Sequence, residues 1–259
     1  MNYELYHHGI KGMKWGIRRF QKKNGSLTAE GKARYDHDKV IIKKGASVQR
    51  VSKTNKETGT GRTYISFKEL DNLKYVAEAG HDGLYWTSNA DNYGYKVKLK
   101  VTEDIIAPSY KETIDAFVAS TKDVPVKTLA ENIYGRKEDK TTSYAKKEWK
   151  KNTKEFVNNM KHLGVDEARQ NAYLAYSRSL MDSKSTQKAF FDELEKRGYN
   201  AVVDHNDAQS KDGSKGYYDT PLIVFERSRN LKQTSAKPIT QLDQDAALDR
   251  IYKEERKGG

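Results

Sequence analysis

The fold is read from two short apolar runs late in the chain, Gly198-Tyr-Asn-Ala-Val-Val-Asp204 and Thr220-Pro-Leu-Ile-Val-Phe-Glu226, separated by a polar loop from His205 to Tyr218. Runs of this length, rich in β-branched residues and bounded by turn formers, read as neighbouring buried strands. Upstream, Val40-Ile-Ile42 and Val48-Gln-Arg50-Val51 flank a glycine at Gly45, and Thr63-Tyr-Ile-Ser66 and Tyr95-Lys-Val-Lys-Leu-Lys-Val101 alternate apolar with polar residues. Period-two alternation places one face of each strand on a core and the other in water.

Between the strands of the two halves lies a helical region. Tyr110 to Thr121 puts Ile114, Phe117 and Val118 on one face. A stretch from Thr142 sets Trp149, Phe156, Met160 and Leu163 against a face of lysines, and Asp166–Met181 and Ser185–Arg197 add two more helices. Gly198 follows directly as a C-cap. The sum is an α+β protein: a small twisted mixed sheet packed by helices. The expected division is a docking peptide and linker over 1–39, the α+β domain over 40–231, and a flexible basic tail over 232–259, with only Leu242, Ala246, Ala247, Leu248 and Ile251 hinting at a helix there.

Composition bounds the function. The chain has 259 residues, a net charge of +12, 36% hydrophobic residues and no cysteine. That allows one modest core and excludes thiol nucleophiles, disulfide frameworks and cysteine-ligated metals. No stretch has the length of an apolar membrane span. The basic residues are spread along the chain, which argues against a focused nucleic-acid surface and leaves a nucleic-acid-associated accessory role as the third reading. His7 and His8 are adjacent and cannot share one face, and no spaced His or Cys accompanies them, so no metal is expected. No nucleophile elbow and no phosphate loop are present; Gly59-Thr-Gly61 lacks the following Lys-Ser/Thr.

Two groups of residues carry resemblances. An Arg on a first strand (Arg50), an aromatic-x-Ser strand (Tyr64-Ile-Ser66), and the ending Gly198-Tyr-Asn-Ala-Val-Val with Pro221-Leu-Ile-Val-Phe-Glu-Arg-Ser-Arg-Asn-Leu231-Lys resemble the ADP-ribosyltransferase fold of toxins and phage effectors. The resemblance covers about 40–231 and implies NAD as cofactor. Arg50 would grip the dinucleotide phosphate, Ser66 the ribose, and Tyr64 or Tyr85 the nicotinamide ring. The reaction also needs a carboxylate to stabilise the oxocarbenium-like charge. Asp204, Asp207 and Asp219 stand where the family has Glu, and because Asp is shorter a degenerate domain is the alternative to an active one.

The leader Tyr6-His-His-Gly-Ile-Lys-Gly-Met-Lys-Trp-Gly-Ile-Arg-Arg-Phe20 intersperses large apolar groups with glycines and cations. It is too glycine-rich for a lone helix and suits a docking peptide that inserts anchors into a groove. With Asn24-Gly-Ser-Leu-Thr-Ala-Glu-Gly-Lys-Ala-Arg-Tyr35 it is similar to the leader of proteins encoded by phages and prophages of Gram-positive bacteria. That implies a virion- or assembly-associated protein, in the host cytoplasm or the particle, with residues 1–20 docking on a head or assembly protein. A non-enzymatic structural or protein-binding protein is the second reading.

Overall fold

The computed structural model describes residues 37–57, 59–69, 94–125, 127–129, 184–205 and 222–255, with isolated positions 28, 29, 72, 73, 147, 150, 151, 154, 157, 158, 169 and 173. Their secondary structure is mixed. The strands are β1 (Val40–Ile42), β2 (Ser47–Ser52), β3 (Thr63–Ile65), β4 (Tyr95–Val101), β5 (Ile105–Ala107), β6 (Ala201–Val203), β7 (Leu222–Val224) and β8 (Leu231–Pro238). The helices are α1 (Tyr110–Thr121), α2 (Lys184–Lys196), the single turn α3 (Arg227–Asn230) and α4 (Gln241–Glu255).

The two late apolar runs do pair: β6 runs antiparallel to β7, with Val202 opposite Ile223, and β3 covers the other edge of β7. All three strands are buried, as their near-continuous apolar sequences require. The expected single mixed sheet is instead three small antiparallel ladders, β2–β4–β8, β3–β7–β6 and β1–β5. The reason lies in the short connections. The turn at residues 43–46 sends β1 and β2 to different partners, so that β1 pairs with β5 and β2 with β4. Asn200 then stitches β5 to β6: its side chain accepts from the Ile106 amide at 2.7 Å and donates to the Asp104 carbonyl at 2.8 Å.

β4 is the central strand of the largest ladder. Its Val97, Leu99 and Val101 are each 1% exposed, whereas Lys98 and Lys100 face solvent, so the alternation seen in the sequence is realised. These residues share one core with Val48, Ile65, Val203, Leu222 and Val224.

Beyond residue 231 the chain differs from expectation. Rather than a flexible tail, it continues as β8 along β4, with a register shift between Lys98 and Leu99, and then as helix α4. β8 has only Leu231 and Ala236 to offer a core, so its order comes from main-chain pairing to β4.

By its contacts the chain forms two units, one of residues 1–37 and 110–196, the other of residues 38–109 and 197–259. In the first, α1 buries Ile114, Ala116 and Phe117, and an edge-packed aromatic cluster joins Phe117, Tyr173, Phe190 and Phe191. Such ring pairs add to plain area burial. Lys147, Lys150, Lys151 and Lys154 are helical and exposed, the wet face expected of them. The second unit holds every strand and the candidate site. Among the described residues no helix is long and apolar enough to cross a membrane.

Candidate functional site

The site starts where two ladders meet. Gln49 of β2 and Ser66, just past β3, exchange both main-chain hydrogen bonds, 2.9 Å and 2.8 Å, so β2 and β3 are held side by side although they belong to different ladders. Arg50 follows Gln49 and leaves β2 on the same face as Val48, toward the core side. A cation there needs an acceptor near at hand, because an unpaired buried charge is far more costly than a paired one. Two acceptors meet it: its Nη1 donates to Thr63 Oγ1 at 2.6 Å and to Glu57 Oε2 at 2.9 Å.

Glu57 comes from the loop 53–62, whose composition contains no apolar residue. Its side chain is nevertheless only 5% exposed, and the same oxygen also accepts from Arg227 Nη1. One carboxylate oxygen is therefore gripped by two guanidiniums, a charge-assisted arrangement of net positive charge. The other oxygen, Oε1, is buried and has no hydrogen-bond partner among the described residues.

Polar contacts alone fasten the loop around it. The Glu57 amide donates to Gln233 Oε1 at 2.8 Å, and Gln233 Nε2 returns to the Asn55 carbonyl at 2.8 Å. The Gly61 amide donates to the Glu226 carboxylate at 3.2 Å, and the Arg227 amide to the Gly61 carbonyl at 3.0 Å. Glu226 also caps α3 through the Ser228 amide and hydroxyl. The Ser228 hydroxyl first, then the Gly61 and Ser228 amides, hold its carboxyl below the usual carboxylate range.

The sequence-derived candidates distribute as follows. Tyr64 and Asp204 come together, the Tyr64 hydroxyl donating to Asp204 Oδ2 at 2.7 Å, with Asp204 only 6% exposed. Because Thr63 and Tyr64 are consecutive in an extended strand, their side chains leave on opposite faces. Arg50 thus meets the Thr63 face of β3, and Asp204 meets the Tyr64 face. Ser66 is 2% exposed; its hydroxyl donates to the Lys68 carbonyl at 3.0 Å and accepts from Asn72 Nδ2 at 2.7 Å, which fixes the turn after β3. The hydroxyl that meets Arg50 is that of Thr63, three residues earlier. Tyr85, Asp207 and Asp219 lie outside the described residues, as does the docking peptide 1–20. Among the described residues no group of three His, Cys, Asp or Glu gathers as a metal would need.

Sequence reasoning missed Glu57, Thr63 and Arg227. The available signal was Arg50 itself: an Arg one alternation step from Val48 demands a nearby acid, and the loop 53–62 holds only Glu57.

Residues 1–22 match a family of unknown function (DUF7211). No curated protein and no solved structure matches the chain.

Proposed function

We propose that the chain is a phage-encoded, virion- or assembly-associated protein that docks through residues 1–20 and carries an ADP-ribosyltransferase-like, NAD-binding domain into the host cytoplasm or the particle. One observation carries the enzymatic part: a strand guanidinium, Arg50, donates into a hydroxyl of the next strand beside the bridge that joins two ladders. A second guanidinium, Arg227, reaches the same carboxylate oxygen as Arg50. A pair of planar forks with net positive charge suits the diphosphate of a dinucleotide, since guanidiniums bind phosphate oxygens bidentately. When bound, NAD would supply the electrophilic ribose carbon. On this chain, Arg50 and Arg227 would hold its phosphates, Tyr64 would lie along the nicotinamide, and Asp204 or an acid of the following loop, Asp207 or Asp219, would face the developing positive charge.

Release of nicotinamide from NAD by the purified chain, at micromolar protein and millimolar NAD, tests this. The expected result is turnover that disappears in Arg50→Ala. Silence of the unaltered chain removes the enzymatic reading. The particle role is tested by co-sedimentation with phage heads, expected to vanish when residues 1–20 are deleted.

A second reading, a non-enzymatic protein-binding domain, draws support from Ser66, whose hydroxyl is buried and engaged within its own turn. It gains if NAD is neither bound nor turned over while co-sedimentation persists.

A further inference from the structure

We infer that Arg50 and Arg227 form a binding site for a diphosphate group and that Glu57 is its built-in occupant, a carboxylate that must leave before the anion enters. The inference rests on the reading of Arg50 as an anion-gripping residue and adds to it the second guanidinium and the means of regulation.

Three observations carry it. The first is stoichiometry: two guanidiniums converge on a single oxygen of a single carboxylate, so most of their donors face an acceptor too small to use them. A diphosphate brings several oxygens and two or more negative charges to the same place, and it satisfies both forks where a carboxylate satisfies part of each.

The second is the state of Glu57. Its Oε1 is buried without a hydrogen-bond partner among the described residues, although the side chain is 5% exposed. An unsatisfied buried carboxylate oxygen carries a desolvation penalty that hydration would relieve. The bound carboxylate is thus held by two good contacts on one oxygen and penalised on the other. Exchanging it for an anion sends that oxygen back to water.

The third is the loop that carries it. Residues 53–62 contain no apolar side chain, so moving them removes no hydrophobic contact of their own. The links that hold it are those of Gln233 to Asn55 and Glu57, and of Glu226 and Arg227 to Gly61. Gly61 sits at φ 88°, a left-handed conformation open to glycine at no steric cost, and a Cβ there would meet nothing within 4 Å. The loop therefore pivots at a residue free of steric restraint.

Isothermal titration of the full-length chain with inorganic pyrophosphate tests the inference. Glu57→Gln keeps the shape of the side chain and removes its charge, and it is expected to bind pyrophosphate about tenfold more tightly than the unaltered chain. Adding Arg227→Ala to that variant is expected to abolish the gain. Equal or weaker binding by Glu57→Gln overturns the inference. A second measurement needs no variant: saturating pyrophosphate is expected to speed amide hydrogen exchange at Glu57 and Gly61 in the unaltered chain, because both amides lose their side-chain acceptors when the loop moves. Unchanged or slower exchange at both, with pyrophosphate bound, overturns it equally. The outcomes also separate this inference from the transferase reading. Tightening by Glu57→Gln without NAD turnover sustains the occupant and removes the transferase. Turnover of NAD with no effect of Glu57→Gln on pyrophosphate binding sustains the transferase and removes the occupant.

Discussion

Arg169 shows how much one buried side chain can organise. It is 4% exposed, and its guanidinium donates to the carbonyls of Thr121, Lys122 and Val124 at 3.0, 2.7 and 3.1 Å, the groups left open where α1 ends. A helix terminus leaves such carbonyls without partners within the helix, and a fork of five donors is well matched to several at once. Arg169→Met keeps most of the apolar stem and strands these carbonyls, so a loss of about 2–4 kcal/mol is expected, read as a lower thermal midpoint. Arg169→Lys should recover only part of it, since an ammonium cannot span three carbonyls. Ser66 gives a contrasting prediction. Ser66→Ala removes a donor to Lys68 and an acceptor for Asn72, for an expected cost of about 1–2 kcal/mol by chemical denaturation, with pyrophosphate affinity unchanged. Lost affinity in a stably folded Ser66→Ala would return this hydroxyl to the ligand. At this scale the sequence was legible where a residue type constrains its own surroundings, as with Arg50. It was not legible for Glu57 or Thr63, because the partner of a strand cation is chosen by which loop folds over it, and no local pattern encodes that.

At the scale of elements, α4 shows why the end of the chain was hard to read. Its start is built by Thr240 and Asp243, each bonding the other: the Thr240 amide and hydroxyl donate to Asp243 Oδ2 at 2.8 and 2.9 Å, and the Asp243 amide donates to Thr240 Oγ1 at 3.3 Å. This is a capping box, and Thr-x-x-Asp is visible in the sequence. What fastens the helix to the sheet is not visible there: Lys96 on β4 reaches Asp243 at 2.8 Å and Glu69 at 2.9 Å. Strand alternation marks Lys96 as outward, and it is outward, yet a distant helix covers it. Leu73 packs on Ala247 in the same region. Burial alone would lower the Lys96 pKa, but the hydrogen bonds and charges of Asp243 and Glu69 outweigh it and raise it. Burial alone would raise the Asp243 carboxyl, but Lys96 and the Thr240 donors outweigh it and hold it low. The signs follow. A lowered carboxyl stabilises the fold above its unfolded value and loses that contribution as pH falls through its folded value; a raised lysine contributes below its unfolded value and loses it as pH rises through its folded one. The attachment of α4 is therefore firm at neutral pH and weakens in acid first. Asp243→Asn is expected to cost roughly 1–2 kcal/mol at neutral pH and to flatten the acid side of the stability profile, measured by thermal unfolding from pH 3 to 7. An unchanged acid limb in Asp243→Asn would remove Asp243 from its origin. The strands and helix with strong periodicity, β4, α1 and the β6–β7 pair, were legible from their spacing. β8 was not, because a strand carried mainly by main-chain pairing has little apolar pattern to display.

At the scale of the whole molecule, the separation into two units is discontinuous in sequence, and that has a physical consequence. The chain leaves the strand-bearing unit after Ser109 and returns at Arg197. Within that unit the two ends are neighbours, since the Asn200 amide donates to the Ile106 carbonyl at 3.1 Å and its side chain completes the link to β5. The core of the strand-bearing unit, from Ile42 to Leu231, draws no residue from 110–196. Segments whose ends lie close together and whose core is separate are those that chains tolerate as insertions. Replacing residues 110–196 by a short Gly/Ser linker is therefore expected to leave the β2–β4–β8 and β3–β7–β6 ladders folded. Loop closure across so short a gap adds little entropy cost. The measurement is cooperative thermal unfolding with strand-type circular dichroism, together with pyrophosphate binding in the same shortened chain, since Arg50, Glu57, Thr63 and Arg227 all belong to the retained unit. Broad, non-cooperative melting would mean that the sheets draw stability from the helical region beyond what their own core supplies. Such an outcome would restore the single 40–231 domain that the sequence implies, where uninterrupted alternation of strand and helix patterns offers no mark of the crossing at 109 and 197.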